Sequence, residues 1–186
     1  MEAASGGTSI SSDRLAHLTG HTAAQVRRDL AYFGNFGKRG VGYSVSDLSN
    51  QLVSIVGIDH NWNMALIGAG NLGKALLAYK GFEQRGFKIV GAYDNDARKI
   101  GSTISNLTVE SLSKLSESAK RLDIQLAIIA TSAESAQEVL DLSVDSGIMA
   151  VLNFAPVRLN APDTVQIANV DLTVEVEYLS YWLTNK

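Results

Sequence analysis

The fold of this 186-residue chain is decided by residues 62–79, WNMALIGAGNLGKALLAY. The apolar run Met64–Ile67 predicts a buried strand, and a G-x-G-x-x-G turn follows it at the start of a helix. In such a turn the first glycine permits the tight bend, the second lets the backbone approach a pyrophosphate, and the third allows close helix–strand packing. The helix N-terminus adds positive potential. We therefore expect the turn to bind a dinucleotide through Gly68, Ala69, Gly70, Asn71, Leu72 and Gly73.

A glycine turn alone is weak evidence, because such turns also join strands to helices without any ligand. Here Asp94 supports it, since it ends the next apolar run at the position where an acid holds the ribose hydroxyls. A carboxylate at this point also repels the 2′-phosphate of NADP, so NAD(H) is the expected cofactor. The alternative is that Asp94 is only a turn residue within Asp94-Asn95-Asp96.

Strand and helix patterns alternate along the rest of the chain. Apolar runs lie at 64–67, 88–93, 125–130 and 148–152, with a weaker run at 107–109 and a last candidate at 165–170. Helical patterns lie at 71–85, 109–121 and 133–146. This alternation predicts an α/β fold in which residues 62–170 form a Rossmann domain with a doubly wound parallel sheet.

The N-terminal region has a different pattern. A short helix is predicted from Ser11 to Gly20, and Thr22 with Gln25 forms a capping box for a second helix whose buried stripe is Val26, Leu30 and Phe33. Four glycines in the following ten residues, 34–43, predict a small β-hairpin, with Lys38-Arg39 at its tip. We interpret residues 1–50 as a winged-helix domain, with Ser46 capping its last helix and residues 1–10 disordered.

The winged-helix region is basic, although the net charge of the whole chain is −3. Such a module would bind double-stranded DNA through phosphate contacts, with Gln25 or Arg28 reading base edges in the major groove. The wing cations would enter a narrow minor groove. The alternative is an ordinary helix pair with solvated arginines. The candidate DNA-binding residues are Gln25, Arg27, Arg28, Lys38 and Arg39.

Several classes of site are excluded or disfavoured by composition. The chain has no cysteine, so disulfides and thiolate nucleophiles are absent, and its three histidines are too scattered to suggest a metal site. No apolar run approaches the ~20 residues that span a bilayer, and the first residues lack a signal-peptide pattern. We expect a cytoplasmic protein without a metal.

Catalytic groups are also missing from the predicted cleft. No histidine or lysine is expected at the carboxyl ends of the strands, and Tyr93 is the best-placed acid–base candidate. Hydride-transfer enzymes need a positioned proton donor and a substrate domain. The pattern therefore predicts no catalytic residues and no enzyme.

Long motifs in this sequence resemble the Rex family of bacterial redox-sensing repressors. They are AAQVRRDL at 23–30, YFGNFGKRGVGY at 32–43, the glycine turn, NFAPV at 153–157 and NVDL at 169–172. The resemblance implies a homodimer that binds operator DNA when NADH is scarce and releases it when NADH binds. It places Asp171 near the nicotinamide end of the pocket, where an ordinary helix N-cap is the equal alternative. The cofactor-binding set is completed by Tyr93, Thr131, Asn153, Phe154 and Asp171.

Residues 171–186 are expected to form a dimerisation helix exchanged between subunits. Its apolar face is too wide for one side of a surface helix, and it comprises Leu172, Val176, Leu179 and Leu183, with Tyr178, Tyr181 and Trp182 beside it. Rex proteins also have a helix ahead of the segment matching Ser11, where this chain has ten small and polar residues. This short N-terminus keeps open the alternative of a NAD(H)-binding module without competent DNA binding. A second alternative is a small NAD-dependent oxidoreductase, against which the absent catalytic base weighs.

Overall fold

A computed structural model describes residues 9–38 and 40–186 and divides the chain into two compact units. The first unit ends at His60, and the second spans Asn61–Lys186. The predicted wing residue Arg39 and residues 1–8 lie outside the described part of the chain.

In its described residues, the first unit contains three helices and a small antiparallel sheet. Its elements are β1 (Ser9–Ile10), α1 (Ser12–Thr19), α2 (Ala23–Phe33), β2 (Gly37–Lys38), β3 (Gly42–Ser44) and α3 (Val45–Val56). The sheet order is β1-β3-β2, so the predicted hairpin forms and gains a third strand from Ser9–Ile10, which the sequence pattern had assigned to disorder.

Local capping explains where these helices begin and end. The hydroxyl of Ser11 accepts a hydrogen bond from the Arg14 backbone N–H, and Gly20 ends α1 in the left-handed conformation. The predicted capping box of Thr22 and Gln25 is present in full at the start of α2. The prediction for α3 was wrong by two residues, because Ser44 rather than Ser46 caps it through the Asp47 N–H.

The apolar core of the first unit is small in the described residues. Only Ala16 and Leu48 are buried there, while Val26 and Leu30 are half-buried. Phe33 was predicted to complete the buried stripe of α2, but it is exposed and its ring meets the exposed ring of Tyr32 edge to face. The apolar faces of this unit are therefore incompletely covered within one chain.

The second unit is a seven-stranded sheet flanked by helices. Its elements are β4 (Trp62–Ile67), α4 (Asn71–Ala78), β5 (Phe87–Asp94), β6 (Thr103–Ile104), β7 (Leu107–Ser111), α5 (Leu115–Arg121), β8 (Ile124–Ile129), α6 (Ala133–Asp145), β9 (Ala150–Asn153), β10 (Gln166–Asn169) and α7 (Leu172–Thr184).

Strand order identifies the sheet as a Rossmann fold. The order is β10-β9-β8-β4-β5-β7-β6, in which all neighbours are parallel except the terminal β6, which pairs antiparallel with β7. Without β6 this is the doubly wound order of dinucleotide-binding sheets, and the chain reverses direction across the sheet between β4 and β8. Ligands bind at that switch point, outside the carboxyl ends of the strands.

Two predicted helices are shorter than their sequence patterns. The pattern at 71–85 ends at Ala78, where the backbone of Tyr79 turns to an extended conformation, and a separate 3-10 turn forms at Glu83–Arg85. The pattern at 109–121 begins as strand β7 and becomes α-helical only at Leu115. Val109 is buried in the sheet, so packing overrides its place in the helical pattern.

Helix α7 has a solvent-facing apolar surface. Every residue from Leu172 to Thr184 is exposed, including Trp182, which is 51% exposed. Val174 adds to the predicted apolar band, so the band extends around most of the helix. No residue within 9–38 or 40–186 buries this surface.

Candidate cofactor cleft and nucleic-acid interface

A cleft of about 380 Å³ lies at the switch point of the Rossmann sheet. The glycine turn follows β4, and Thr131 follows the neighbouring strand β8, so the two loops face each other across the crevice. The lining residues are Ile67, Gly68, Gly70, Asp94, Asn95, Lys99, Leu112, Ala130, Thr131, Ser132, Ser135 and Val139.

The three glycines of the turn have separate geometric roles. Gly68 has a φ of +102°, and a Cβ there would meet the Ala130 carbonyl oxygen. A Cβ on Gly73 would collide with the Gly68 carbonyl oxygen, so this glycine allows the close helix–strand approach. A Cβ on Gly70 would meet nothing within 4 Å. Gly70 therefore leaves a space beside the backbone that the chain itself does not fill, as a bound pyrophosphate requires.

Asp94 is tied to the glycine turn by its own carboxylate. Its Oδ2 accepts hydrogen bonds from the Ala69 backbone N–H at 2.8 Å and from Lys99 Nζ at 2.9 Å, and its Oδ1 accepts one from the Asp96 N–H at 2.8 Å. Burial alone would raise the pKa of Asp94, but these hydrogen bonds outweigh it and hold the pKa below its ordinary value. The predicted ribose-binding acid thus also orders the turn.

Lys99 is a cleft residue that the sequence pattern did not reveal. The expectation that no lysine lies at the carboxyl ends of the strands was wrong, because Lys99 follows β5 by five residues and its side chain returns to Asp94. The returning turn is held by hydrogen bonds from the Lys99 and Ile100 N–H groups to the Asp96 carbonyl. The sequence did hold one cue, since Lys99 follows the acidic turn Asp94-Asn95-Asp96 closely enough to pair with one of its carboxylates.

Thr131 supplies a buried polar group to the same cleft. Its Oγ1 is buried, and no hydrogen bond reaches it within the described residues. A buried hydroxyl normally finds a partner, since leaving one unmade is costly. Ser132 and Ser135, at the start of α6, line the same side of the cleft. The orphaned hydroxyl and the open space at Gly70 fit a bound dinucleotide.

Tyr93 does not face the cleft with its side chain. The ring is buried in the core that contains Leu112, Leu115 and Ala119, where burial raises the pKa of its hydroxyl and a hydrogen bond with Ser118 partly offsets this. Its carbonyl oxygen accepts a hydrogen bond from the Gly68 N–H at 2.8 Å. The structure therefore gives Tyr93 a positioning role for the turn in place of the predicted side-chain contact.

The side-chain amide of Asn153 is likewise engaged in hydrogen bonds within the chain. Its Nδ2 donates to the Val157 carbonyl and to Asn169 Oδ1, both at 2.9 Å, and its Oδ1 accepts from the Ala155 N–H. Phe154 packs against the core around Met64, so the two residues shape the strand-end loop.

The remaining predicted cofactor residues lie at helix starts. Asn71 and Leu72 form the exposed first turn of α4, directly after the glycine turn. Asp171 is exposed and caps α7, accepting a hydrogen bond from the Thr173 N–H at 2.9 Å. A single chain thus gives Asp171 the geometry of an ordinary N-cap.

The predicted DNA-binding residues of the first unit differ in exposure and in the hydrogen bonds that their side chains make within the unit. Arg28 on α2 and Lys38 on β2 are exposed. Gln25 uses its side-chain oxygen for the Thr22 N–H, and Arg27 donates to the Ser12 hydroxyl at 2.8 Å. These two residues therefore stabilise the helix pair, which the sequence pattern did not indicate for Arg27. A cavity of about 550 Å³ separates α2 from the wing.

The described residues contain neither a metal-binding cluster nor a membrane-spanning helix. Across 9–38 and 40–186, histidine, aspartate and glutamate side chains form no group of three that could hold a metal ion. In the same residues no helix is both long and apolar enough to span a membrane.

Comparisons with known proteins agree with this geometry. A family model described as a CoA binding domain matches residues 59–157. The redox-sensing transcriptional repressor Rex of Desulforamulus reducens is 48% identical over 179 residues, which are 96% of this chain and 85% of that protein.

Solved structures of RSP, a Rex-family repressor, are similar over most of the chain. The complex of RSP with β-NAD⁺ and operator DNA has a TM-score of 0.90 and 38% identity, covering 95% of this chain and 82% of that one. The complex of RSP with β-NADH has a TM-score of 0.84 and 37% identity, covering 95% and 83%. RSP thus has solved complexes with both forms of the cofactor.

Proposed function

This chain belongs to the Rex family of redox-sensing transcriptional repressors, and we propose that it divides that function between the cleft at Gly68–Gly73 and the basic first unit. It is an NADH-responsive repressor that binds operator DNA. The observation that carries the proposal is the combination in one chain of a Rossmann cleft at the sheet switch point and a winged helix with exposed Arg28 and Lys38.

In the cleft, the backbone of the glycine turn and the N-terminus of α4 would hold the pyrophosphate. Gly70 leaves the space for it, and Gly68 and Gly73 set the shape of the turn. Asp94 would meet the adenosine ribose, since an acid at the end of this strand has that role in Rossmann domains. Thr131 would donate a hydrogen bond to the ligand from the opposite loop, which would satisfy its buried hydroxyl.

Replacing Thr131 with valine tests this contact with an isosteric side chain. We expect NADH binding to weaken by about 1 kcal/mol, the net contribution of one hydrogen bond, which is about fivefold in affinity. Calorimetric titration with NADH measures it. Ser113→Ala removes an exposed hydroxyl that does not line the cleft, so it is the control and should bind as the parent does. Equal affinity of Thr131→Val and the parent would remove Thr131 from the binding site.

Discrimination between the two redox forms follows from the charge of the nicotinamide ring. The ring of NAD⁺ is positively charged and that of NADH is neutral, so an apolar strand-end loop such as Asn153–Ala155 disfavours the oxidised form by desolvation. We propose that Asp171 offsets this cost in one arrangement of two subunits and not in the other. Such a differential interaction with two states is what ligand control of DNA binding requires.

A homodimer would provide those two arrangements. The support for it is α7, whose apolar band is exposed in one chain and wide enough to need burial on several sides. We propose that residues 171–186 are exchanged between two copies. We propose three parts of the chain: a winged helix at 1–50, a Rossmann domain at 62–170 and this C-terminal helix.

The two exposed cations of the first unit should act differently on DNA. Arg28→Ala is expected to cost about 1 to 3 kcal/mol on the operator and to relax base preference, because arginine on a recognition helix reads base edges. Lys38→Ala should weaken binding to all sequences and reduce the salt slope by about one. Titrations of operator and random DNA at several salt concentrations measure both effects.

Lys120→Ala is the control for these variants, because Lys120 is exposed on α5, outside the basic unit. It should bind operator DNA as the parent does. If Arg28→Ala loses the same free energy on operator and random DNA, then Arg28 contacts only phosphates.

A regulator rather than an enzyme is the function that the cleft supports. The one lysine in the cleft is paired with Asp94, and the Tyr93 hydroxyl is buried in the core with a raised pKa. Neither is placed as a free proton donor. A repressor acts where the chromosome lies, so we propose a cytoplasmic location.

DNA binding measured with each cofactor separately tests the proposed function as a whole. With NAD⁺ the chain should retain a fluorescent operator duplex, and with NADH it should release it. A cofactor-independent affinity for DNA would leave only a DNA-binding protein, and turnover of NADH with a substrate would favour an oxidoreductase. NADH binding without any salt-dependent DNA binding would indicate a sensing module alone.

A further inference from the structure

Among the residues that the structure describes, two charged side chains line the cofactor cleft, Asp94 and Lys99. They form an ion pair, with 2.9 Å between Lys99 Nζ and Asp94 Oδ2. The Asp94 side chain is 9% exposed and that of Lys99 is 36% exposed. The pair therefore presents its positive member to the cleft and keeps its negative member below the surface.

The hydrogen bonds of Asp94 strengthen this difference. Two backbone N–H groups, of Ala69 and Asp96, and one ammonium group already donate to the carboxylate. A carboxylate has about four acceptor sites, so about one acceptor site of Asp94 remains for a ribose hydroxyl. An ammonium group has three donors, and the pair uses one of those on Lys99.

Arg98, the cation next to Lys99 in the sequence, pairs with Asp96. Arg98 donates from its Nε and from a terminal nitrogen to the two oxygens of Asp96, and its side chain is 90% exposed. Arg98 does not line the cleft in the described structure. The loop after β5 thus carries two neighbouring cations, of which Lys99 lines the cleft and Arg98 does not. Arg98 is therefore a matched control for substitutions of Lys99.

We propose that Lys99 is a specificity-determining residue of the cleft, which sets how strongly the protein rejects NADP(H) relative to NAD(H). This inference rests on the proposed cofactor function. A lone Asp94 would repel a 2′-phosphate, but Lys99 neutralises that carboxylate and places a cation beside it. The cleft therefore discriminates against NADP(H) less strongly than the aspartate alone would.

Lys99→Met tests the proposal, because methionine keeps an unbranched side chain that is only one atom shorter and removes its charge. The buried carboxylate then faces the cleft without a partner cation. We expect the Kd for NADPH to rise at least about tenfold, equivalent to about 1.4 kcal/mol, and the Kd for NADH to change by less than about threefold. Calorimetric titrations with NADH and with NADPH give both values, and a thermal melt verifies folding.

Two further variants complete the test. Lys99→Arg keeps the charge and should keep the parental ratio of NADPH to NADH affinities, and Arg98→Met should keep it too. An unchanged ratio in folded Lys99→Met would overturn the proposal, as would an equal loss of both affinities, which indicates a structural role alone. Absence of NADH binding by the parent chain would instead overturn the proposed function, and the inference with it.

Discussion

Gly70→Val is expected to abolish NADH binding while the chain stays folded. Gly70 has a φ of −78°, which valine adopts without strain, and a Cβ there meets no atom of the chain within 4 Å. The added side chain instead fills the space at the start of α4 that the pyrophosphate needs. We expect at least about a hundredfold loss of NADH affinity, equivalent to about 2.7 kcal/mol, by calorimetric titration.

The same variant should bind operator DNA whether or not NADH is present, because it has lost the ligand that releases the DNA. Ala75→Val is the control, since it adds a β-branched side chain to an exposed position of the same helix. It should bind NADH normally. Tight NADH binding by Gly70→Val would mean that the pyrophosphate does not lie at this turn.

Deleting residues 171–186 is expected to convert a dimer into monomers and to remove NADH-controlled release of DNA. Helix α7 is exposed along its whole length, so its removal should leave the sheet of the second unit folded. The shortened chain should still bind NADH at Gly68–Gly73. Sedimentation in the ultracentrifuge measures the mass, and the DNA titration measures control by NADH.

A point variant separates loss of the helix from loss of its apolar surface. Leu179→Asp places a charge in the apolar band of α7 and should also give monomers, whereas Ser180→Asp, at a polar position beside it, should not. A stable dimer formed by the deleted chain would refute the exchanged-helix proposal.

The sequence was sufficient to predict the Rossmann sheet, because apolar runs and glycine turns reflect local rules of chain geometry. The turn at Gly68–Gly73 and the capping box at Thr22 are both present as expected. Element ends were less predictable where packing decided them. Val109 fits a helical period, yet it lies in β7 because the sheet buries it.

Beyond the capping box, the side-chain partners of the cleft residues could not be read from the sequence. The carboxylate of Asp94 is paired with Lys99, which limits the hydrogen bonds that it can make to a ligand. The side chain of Asn153 is likewise hydrogen-bonded to that of Asn169, its neighbour across β9 and β10. Tyr93 lies in the predicted strand, but its side chain points into the core. Residue type and spacing therefore located the cleft, while the orientation and hydrogen bonding of its side chains needed three-dimensional coordinates.

Hydrogen bonds of the side chain and backbone of Asn153 hold the segment that leads into α7 against the sheet. The side chain of Asn153 holds Asn169, and its carbonyl oxygen accepts a hydrogen bond from the Val170 N–H at 2.8 Å. The helix begins at Leu172, so only Val170 and Asp171 separate the sheet from a rigid arm. Thirteen residues at about 1.5 Å each make that arm roughly 20 Å long, and a rotation of about 10° at its base moves its tip by about 3 Å. Small displacements of the loop around Asn153 are thereby amplified over the length of the helix.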